Sequence, residues 1–354
     1  MAESLEQKYV AWRTRYLRSY NAGFYVFYND NGDNGDAVTC SEAHGYGLLI
    51  SVLKRNQADF DGLLNYFETF CNRKGLMQWQ QQKNKHGHFV PGDEGGENSA
   101  TDGDIDIATA LFLAARVWGH GGPQRNIDYR AKAVALCRSI WEHTINHTTF
   151  LPKLGDWVDE GNKAHNLTRP ADFILSHFLV FYYEDHERKD IWGRVIESCI
   201  NELNCQLRLH PTGLIADFLE SHNGVFKAPT GKVLEDQHDG CFNWNSCRVP
   251  WRIAHYYHQT QDARVRPLLE AQARFFAEQM HRHDGIKAGY KLDGRALESY
   301  TDLAFIAPAS FLFWVLGWTN EITKAQQDMN DLDDNTYFGE TIALICLLQA
   351  SVPY

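Results

Sequence analysis

Nowhere in its 354 residues does the chain hold eighteen consecutive apolar residues, which excludes a membrane-spanning helix. It also lacks an excess of positive charge. Lys and Arg number 34 against 45 Asp and Glu, a net charge of −11 that argues against nucleic acids and anionic membrane surfaces as partners. A neutral or cationic ligand suits it better. The eight cysteines include no Cys-x-x-Cys pair and no Cys/His metal spacing, so no metal and no cofactor is expected. Several of them fall inside apolar runs, where a reduced thiol acts as a small hydrophobe; Cys241 and Cys247 are near enough in sequence to pair, but nothing demands it. Low-complexity segments and linkers are missing as well. Residues 1–18 are polar and amphipathic without a signal-peptide apolar core, so the expectation is a cytoplasmic protein, or a secreted one whose leader has been removed.

What is present is a folding composition, 44% hydrophobic and 13% aromatic, in a length that one domain over 1–354 can use for a sizeable core. A monomer is expected. The apolar residues recur with helical period almost throughout. Helices are predicted over 3–20, 42–55, 57–72, 104–118, 129–146, 170–185, 189–205, 247–259, 262–281, 300–318, 319–328 and 338–351. Twelve helices make six hairpins, an all-α chain. Short turns alternate with long connections rich in Gly, Asn, Asp and His, over 21–40, 73–103, 147–169 and 206–245, and loops on a rigid scaffold are where function gathers. Ten Trp and sixteen Tyr serve either as core or as platforms on which sugar rings stack.

Two segments place carboxylates at the mouths of apolar helical runs. In Cys40-Ser41-Glu42-Ala43-His44-Gly45-Tyr46-Gly47, Ser41 is the expected N-cap and Glu42 the first helical residue. In Thr101-Asp102-Gly103-Asp104-Ile105-Asp106, Thr101 is the expected cap. A helix start fixes an acid in space without sinking it in the core, and two such acids suit general acid/base chemistry. The three aspartates alternate, so they cannot all share one face. Asp102 is the choice for substrate contact, with Asp104 and Asp106 left to cap and bond backbone. The tract from Asn29 to Asp36 invites a calcium reading but fails the EF-hand spacing at Gly32, which leaves a solvated turn.

These segments resemble glycoside hydrolase family 8. The family carries a Ser-Glu-x-x-Gly-Tyr-Gly motif, then Ala-Thr-Asp-x-Asp-x-Asp-Ile-Ala. The order continues here with Gly155-Asp156-Trp157 and Asn245-Ser246-Cys247-Arg248-Val249-Pro250-Trp251-Arg252. The resemblance implies an (α/α)6 barrel of six helical hairpins, with a cleft formed by long loops at one end. It implies an inverting endo-hydrolase of β-1,4-linked polysaccharide. Glu42 aligns with the general acid and Asp102 with the aspartate that contacts the sugar at the cleavage point. Tyr46, Trp157, Asp172 and Asn245 are further expected substrate contacts, Trp157 as platform or loop anchor.

The base departs from the commonest family pattern. Where many members have Asp before the Arg-x-Pro-Trp-Arg run, this chain has Asn245, and an amide cannot accept the proton. A chitosanase-containing subgroup of the family uses a Glu from an inserted loop. The insertion here, from Leu214 to Asn243, offers Glu235 as the choice, then Glu220, then Asp239. Arg248 is expected to pair with Asp104 or Asp106, and His44 either tunes Glu42 or simply hydrogen-bonds. The Asn245 pattern, the acidic charge and Asp172 as receptor for an amino sugar lean towards chitosan as substrate. A β-glucanase acting on cellulose or mixed-linkage glucan is the alternative, and xylan comes third. From another class, a catalytically inactive carbohydrate-binding toroid would account for the missing Asp.

Overall fold

The computed structural model describes residues 4–332 and 336–354. Among them are twelve α-helices: Leu5–Tyr16 (α1), Ser41–Leu53 (α2), Gln57–Thr69 (α3), Thr101–Trp118 (α4), Tyr129–Thr144 (α5), Leu175–Glu184 (α6), Lys189–Leu209 (α7), Val249–Thr260 (α8), Arg266–Arg282 (α9), Leu303–Leu316 (α10), Thr319–Asn330 (α11) and Tyr337–Ser351 (α12). The predicted helices all form. The first is shorter than expected because residues 17–20 turn back as a strand, and the sixth starts late, behind a 3-10 turn over Pro170–Asp172.

Amphipathicity sorts these helices into two layers. The even-numbered ones touch in a closed ring, α2 to α4, α6, α8, α10, α12 and back to α2. Each odd-numbered helix lies outside, against a ring member next to it in sequence, or against α12 in the case of α1. The outer α7 buries one stripe (Trp192, Val195, Ile196, Cys199, Ile200, Leu203) and keeps its other face wet. The inner α2 buries every residue except Glu42. One hydrophobic cluster draws buried side chains from all twelve helices, including the wholly enclosed Trp192 and Trp251. Burying a side chain of that size contributes on the order of 1.5–3 kcal/mol. The architecture is the (α/α)6 barrel.

The connections decide where a site can form. Those leading into inner helices are mostly long (17–40, 70–100, 145–174, 210–248 and 283–302), whereas those leaving them are short. The N-termini of the inner helices and the long loops therefore share one end. Four small antiparallel sheets stiffen the connections. They are Leu17–Tyr20 with Gly23–Val26 (β1, β2); Ala37–Cys40, Gln80–Lys83 and Phe89–Pro91 (β3–β5); His120–Gly121 with Ile127–Asp128 (β6, β7); and Leu167–Thr168, Leu219–His222 and Val225–Lys227 (β8–β10). A second, smaller cluster of Leu154, Val158, Ala164, Leu167 and Phe218 lies under the loops, with Trp157, Val233 and Leu234 packed on it.

The expected caps are not used. Cys40 is the N-cap of α2 and Ala100 that of α4, and neither makes a side-chain cap bond. Both helix starts are buried and take their partners from distant chain. Ser41 N–H donates to Trp79 O (2.9 Å), and the Thr101 hydroxyl to Lys153 O (2.5 Å). All eight cysteines are free thiols. The Asn29–Asp36 tract is a turn closed on itself, in which Asn29 Nδ2 donates to the carbonyls of Gly35 and Ala37. No described helix is long and apolar enough to cross a membrane.

Candidate active site

Glu42 and Asp102 meet because α2 and α4 cross with almost no side chain between their first turns. A Cβ on Gly103 would lie 2.6 Å from the Ser41 carbonyl carbon, and one on Gly45 would lie 2.7 Å from Asp106 Cβ. Glycine at both positions lets the backbones touch, which puts the two acids side by side. Arg248, just ahead of α8, then joins them. Its Nη1 donates to Glu42 Oε2 at 2.6 Å and to Asp102 Oδ2 at 3.0 Å, with the Tyr46 hydroxyl at 3.4 Å. The expected pairing of Arg248 with Asp104 or Asp106 is thus corrected.

The other two aspartates turn elsewhere. Asp104 accepts from Met77 N–H at 2.9 Å, the backbone role expected of it. Asp106 does not bond backbone as expected: it receives Arg252 Nη2 at 2.7 Å and stands 2.8 Å from His177 Nδ1, all three groups buried. Alternation had excluded a shared face for the three acids, and the segment running into α8 carries an arginine for each of two faces, Arg248 just before the helix and Arg252 in its first turn.

A chain of contacts runs from Glu42 to the insertion. Arg248 Nη2 donates to Asn245 Oδ1 at 3.1 Å, and Asn245 Nδ2 donates to Glu235 Oε2 at 2.8 Å. The other oxygen of Glu235 receives Arg169 Nη2 at 3.4 Å. Glu42, Asp102, Tyr46, Asn245 and Glu235 thus form one connected constellation where the inner helices begin. The side chain of Glu235 is 46% exposed, that of Glu42 21%. The rival acids of the insertion are differently engaged. Asp239 is buried and accepts the backbone N–H groups of Val233, Leu234, Glu235 and Asp236, between 2.7 and 3.0 Å, so it shapes the loop on which Glu235 stands. Glu220 lies on β9 and pairs with the exposed His222.

Electrostatics separate the acids further. Burial pushes the Glu42 carboxyl up to about 7; Arg248 opposes this and Asp102 adds to it. Such a group holds its proton in mildly acidic solution despite the helix N-terminus, which favours the anion. Burial likewise carries Asp172 up to about 8, against the pull of Arg169. Asp172 is wholly buried, and neither of its oxygens has a hydrogen-bond partner. It is an interior, neutral group rather than a surface anion open to an ammonium. Trp157 is half-buried against the loop cluster on which Leu234 also packs. Asp156, next to it, accepts from Ser99 N–H and Asn72 Nδ2 and ties two long loops together. His44 is turned away from the acids, stacked on Tyr66 with Nδ1 3.1 Å from Cys40 O; burial lowers it to about 4, so the ring is neutral.

Two residues of the site escaped the sequence reading. Asp217 accepts from the N–H groups of Asn243, Asn245 and Ser246 and from the Ser246 hydroxyl, and so builds the turn that presents Asn245 and Arg248. Its one sequence signal was an acid in the middle of Leu214-Ile215-Ala216-Asp217-Phe218-Leu219. Trp244 is 36% exposed next to Asn245, its ring braced edge-on by Phe305. A solvent-facing indole beside a carboxylate cluster was not distinguishable by spacing from a core residue.

A helical barrel that brings together a largely buried acid raised to about 7 and a second, more exposed carboxylate has the groups of an acid/base hydrolase. The comparisons narrow that class: the Glycosyl hydrolases family 8 profile matches residues 9–351, and the chain belongs to this family of glycoside hydrolases. It is 32% identical to a beta-glucanase of Niallia circulans, over 99% of this chain and 85% of that protein. Endoglucanase A of Acetivibrio thermocellus is 28% identical over 97% of this chain and 68% of its own length. Among solved structures, the apo β-1,3-1,4-glucanase of Paenibacillus sp. X4 superposes with a TM-score of 0.85 at 29% identity, covering 98% of this chain and 90% of that one. A cold-adapted family 8 xylanase, at 15% identity and TM-score 0.80, shares the fold over 99% of this chain and 91% of its own.

Proposed function

We propose that the protein is an inverting endo-β-glucanase that cuts β-1,4-containing glucans, mixed-linkage β-1,3-1,4-glucan foremost. The observation that carries the reading is the pair formed by Glu42, raised to about 7, and Glu235, reached only through Arg248 and Asn245. Glu42 donates its proton to the glycosidic oxygen as the bond to the anomeric carbon breaks. Glu235 takes a proton from the water that attacks that carbon from the opposite face, which inverts its configuration. Two side chains stand between the carboxylates, in keeping with the wider separation that leaves room for a water, about 6.5–9.5 Å in inverting enzymes. Asp102 holds the sugar at the scissile bond and Trp244 contributes to its binding, whereas Tyr46, expected as a contact, is wholly buried and stands behind them with its hydroxyl against Arg248.

The leaning towards chitosan gives way to glucan on two grounds. Three of the four proteins reported above, those most similar in sequence among them, carry glucanase names, and the buried Asp172 offers no anionic receptor for an amine. Glu235 also supplies the base that Asn245 cannot, which removes the main argument for an inactive toroid.

Reducing-end release from mixed-linkage β-glucan, carboxymethyl-cellulose and chitosan, with Glu42→Gln as control, tests the reading. Release from the two glucans, lost in the variant, with α-anomeric product seen first by NMR, is expected. Release from chitosan alone overturns the substrate, and β-anomeric product overturns the mechanism.

A further inference from the structure

Glu235 stands on a loop, and its side chain is nearly half exposed. A carboxylate so placed needs outside donors to stay at one angle to a water molecule. Each of its oxygens has one, from a different part of the frame. Asn245 serves Oε2 from the segment that leads into α8, and Arg169 serves Oε1 from the end of β8.

Arg169 is built for that task. Its backbone carbonyl accepts Asp172 N–H at 2.9 Å, closing the turn over Pro170 and Ala171, and its guanidinium lies over the Phe218 ring, 5.1 Å from the centroid. Only 11% of its side chain is exposed, so it offers little surface to a sugar. The charged groups facing it are Asp172, Glu235, Asp102 and Arg248. Asp102 is committed to Arg248, and the carboxylate of Asp172 accepts no hydrogen bond, although its backbone belongs to the same turn. That leaves Glu235 as the anion to which Arg169 is hydrogen-bonded.

We propose that Arg169 is a positioning residue for Glu235: with Asn245 it clamps the loop carboxylate in the orientation that activates water. The inference rests on Glu235 as the base, the reading given above. Arginine suits the role better than lysine because its planar fork stacks on Phe218 while donating sideways.

Steady-state kinetics of Arg169→Met, Arg169→Lys and Glu235→Gln on mixed-linkage β-glucan test it, with circular dichroism and melting curves to check folding. A misdirected base slows the chemical step and leaves binding alone. Arg169→Met is expected to lose about 10–100-fold in kcat with KM changed less than about threefold, and Arg169→Lys to recover part of that loss. An unchanged kcat, or a loss carried by KM, overturns the proposal. If Arg169→Met does not fold, Arg169→Lys decides: a kcat reduced about threefold or more at constant KM supports the clamp, and an unchanged kcat refutes it. Glu235→Gln separates the two levels. Full activity in that variant removes the base assignment and the inference together, whereas an inactive Glu235→Gln beside a fully active Arg169→Met removes the inference alone.

Discussion

Arg248 and Arg252 lie one helical turn apart, both buried and both paired with aspartate, yet their surroundings have opposite consequences. Arg248 divides one nitrogen between Glu42 and Asp102, and burial wins at Glu42, which rises to about 7. Arg252 has Asp106 as its acid, and Asp106 also has His177 within 2.8 Å. There, although burial is the largest influence, Arg252 and His177 together outweigh it, and the carboxyl is held below its usual range. The charges around each carboxylate, a second acid beside Glu42 against Arg252 and His177 beside Asp106, rather than depth, separate an acid that can give up a proton from one that only holds the barrel together.

The comparison is broken most severely by removing the functional acid. Glu42→Gln keeps the shape and is expected to lower kcat on β-glucan by up to about 10⁴-fold, with the melting temperature little changed. Next in size is its structural counterpart. Asp106→Ala leaves Arg252 buried without its anion and is expected to cost about 3–5 kcal/mol in urea unfolding. A finer effect comes from Asp102→Asn. Asp102 raises Glu42, so its neutral isostere should move the alkaline limb of the kcat/KM profile, expected near pH 7, towards lower pH. A limb that stays in place would mean that another group titrates there.

The smallest expected effect concerns Asp172, raised to about 8 by burial. The folded state binds this proton more tightly than the unfolded chain does. Stability from this group is therefore complete below about pH 4 and falls as pH rises towards 8. Asp172→Asn should flatten that decline, melting a few degrees above wild type at pH 8 and close to it at pH 5.

The helices were legible because each buries a stripe or a whole surface that the apolar spacing announces, as along α7. The acids at the starts of α2 and α4 were legible for the same reason, being the polar interruptions of apolar runs. Partner choice was not. Ser41 and Thr101 look like caps in their local sequence, but Trp79 and Lys153 provide the partners from 38 and 52 residues away. The alternation of Asp102, Asp104 and Asp106 excluded a common face without saying which face meets α8. Asp217 works through residues 26–29 positions downstream, a relation that exists only after the 214–243 insertion has folded. Within that insertion, composition could not tell the carboxylate spent on four N–H groups from the one turned towards Asn245 and Arg169.

The crossing of α2 and α4 sets a tolerance. The spacing between Glu42 and Asp102 is gauged by two missing methyl groups, at Gly45 and Gly103, so the calibrating part of the cleft has no functional group at all. An alanine there would meet backbone or a buried carboxylate and wedge the acids apart by a fraction of an ångström. Such a change damages rate before it damages fold. These two silent positions therefore tolerate an added side chain least, although neither carries a group that could touch a sugar.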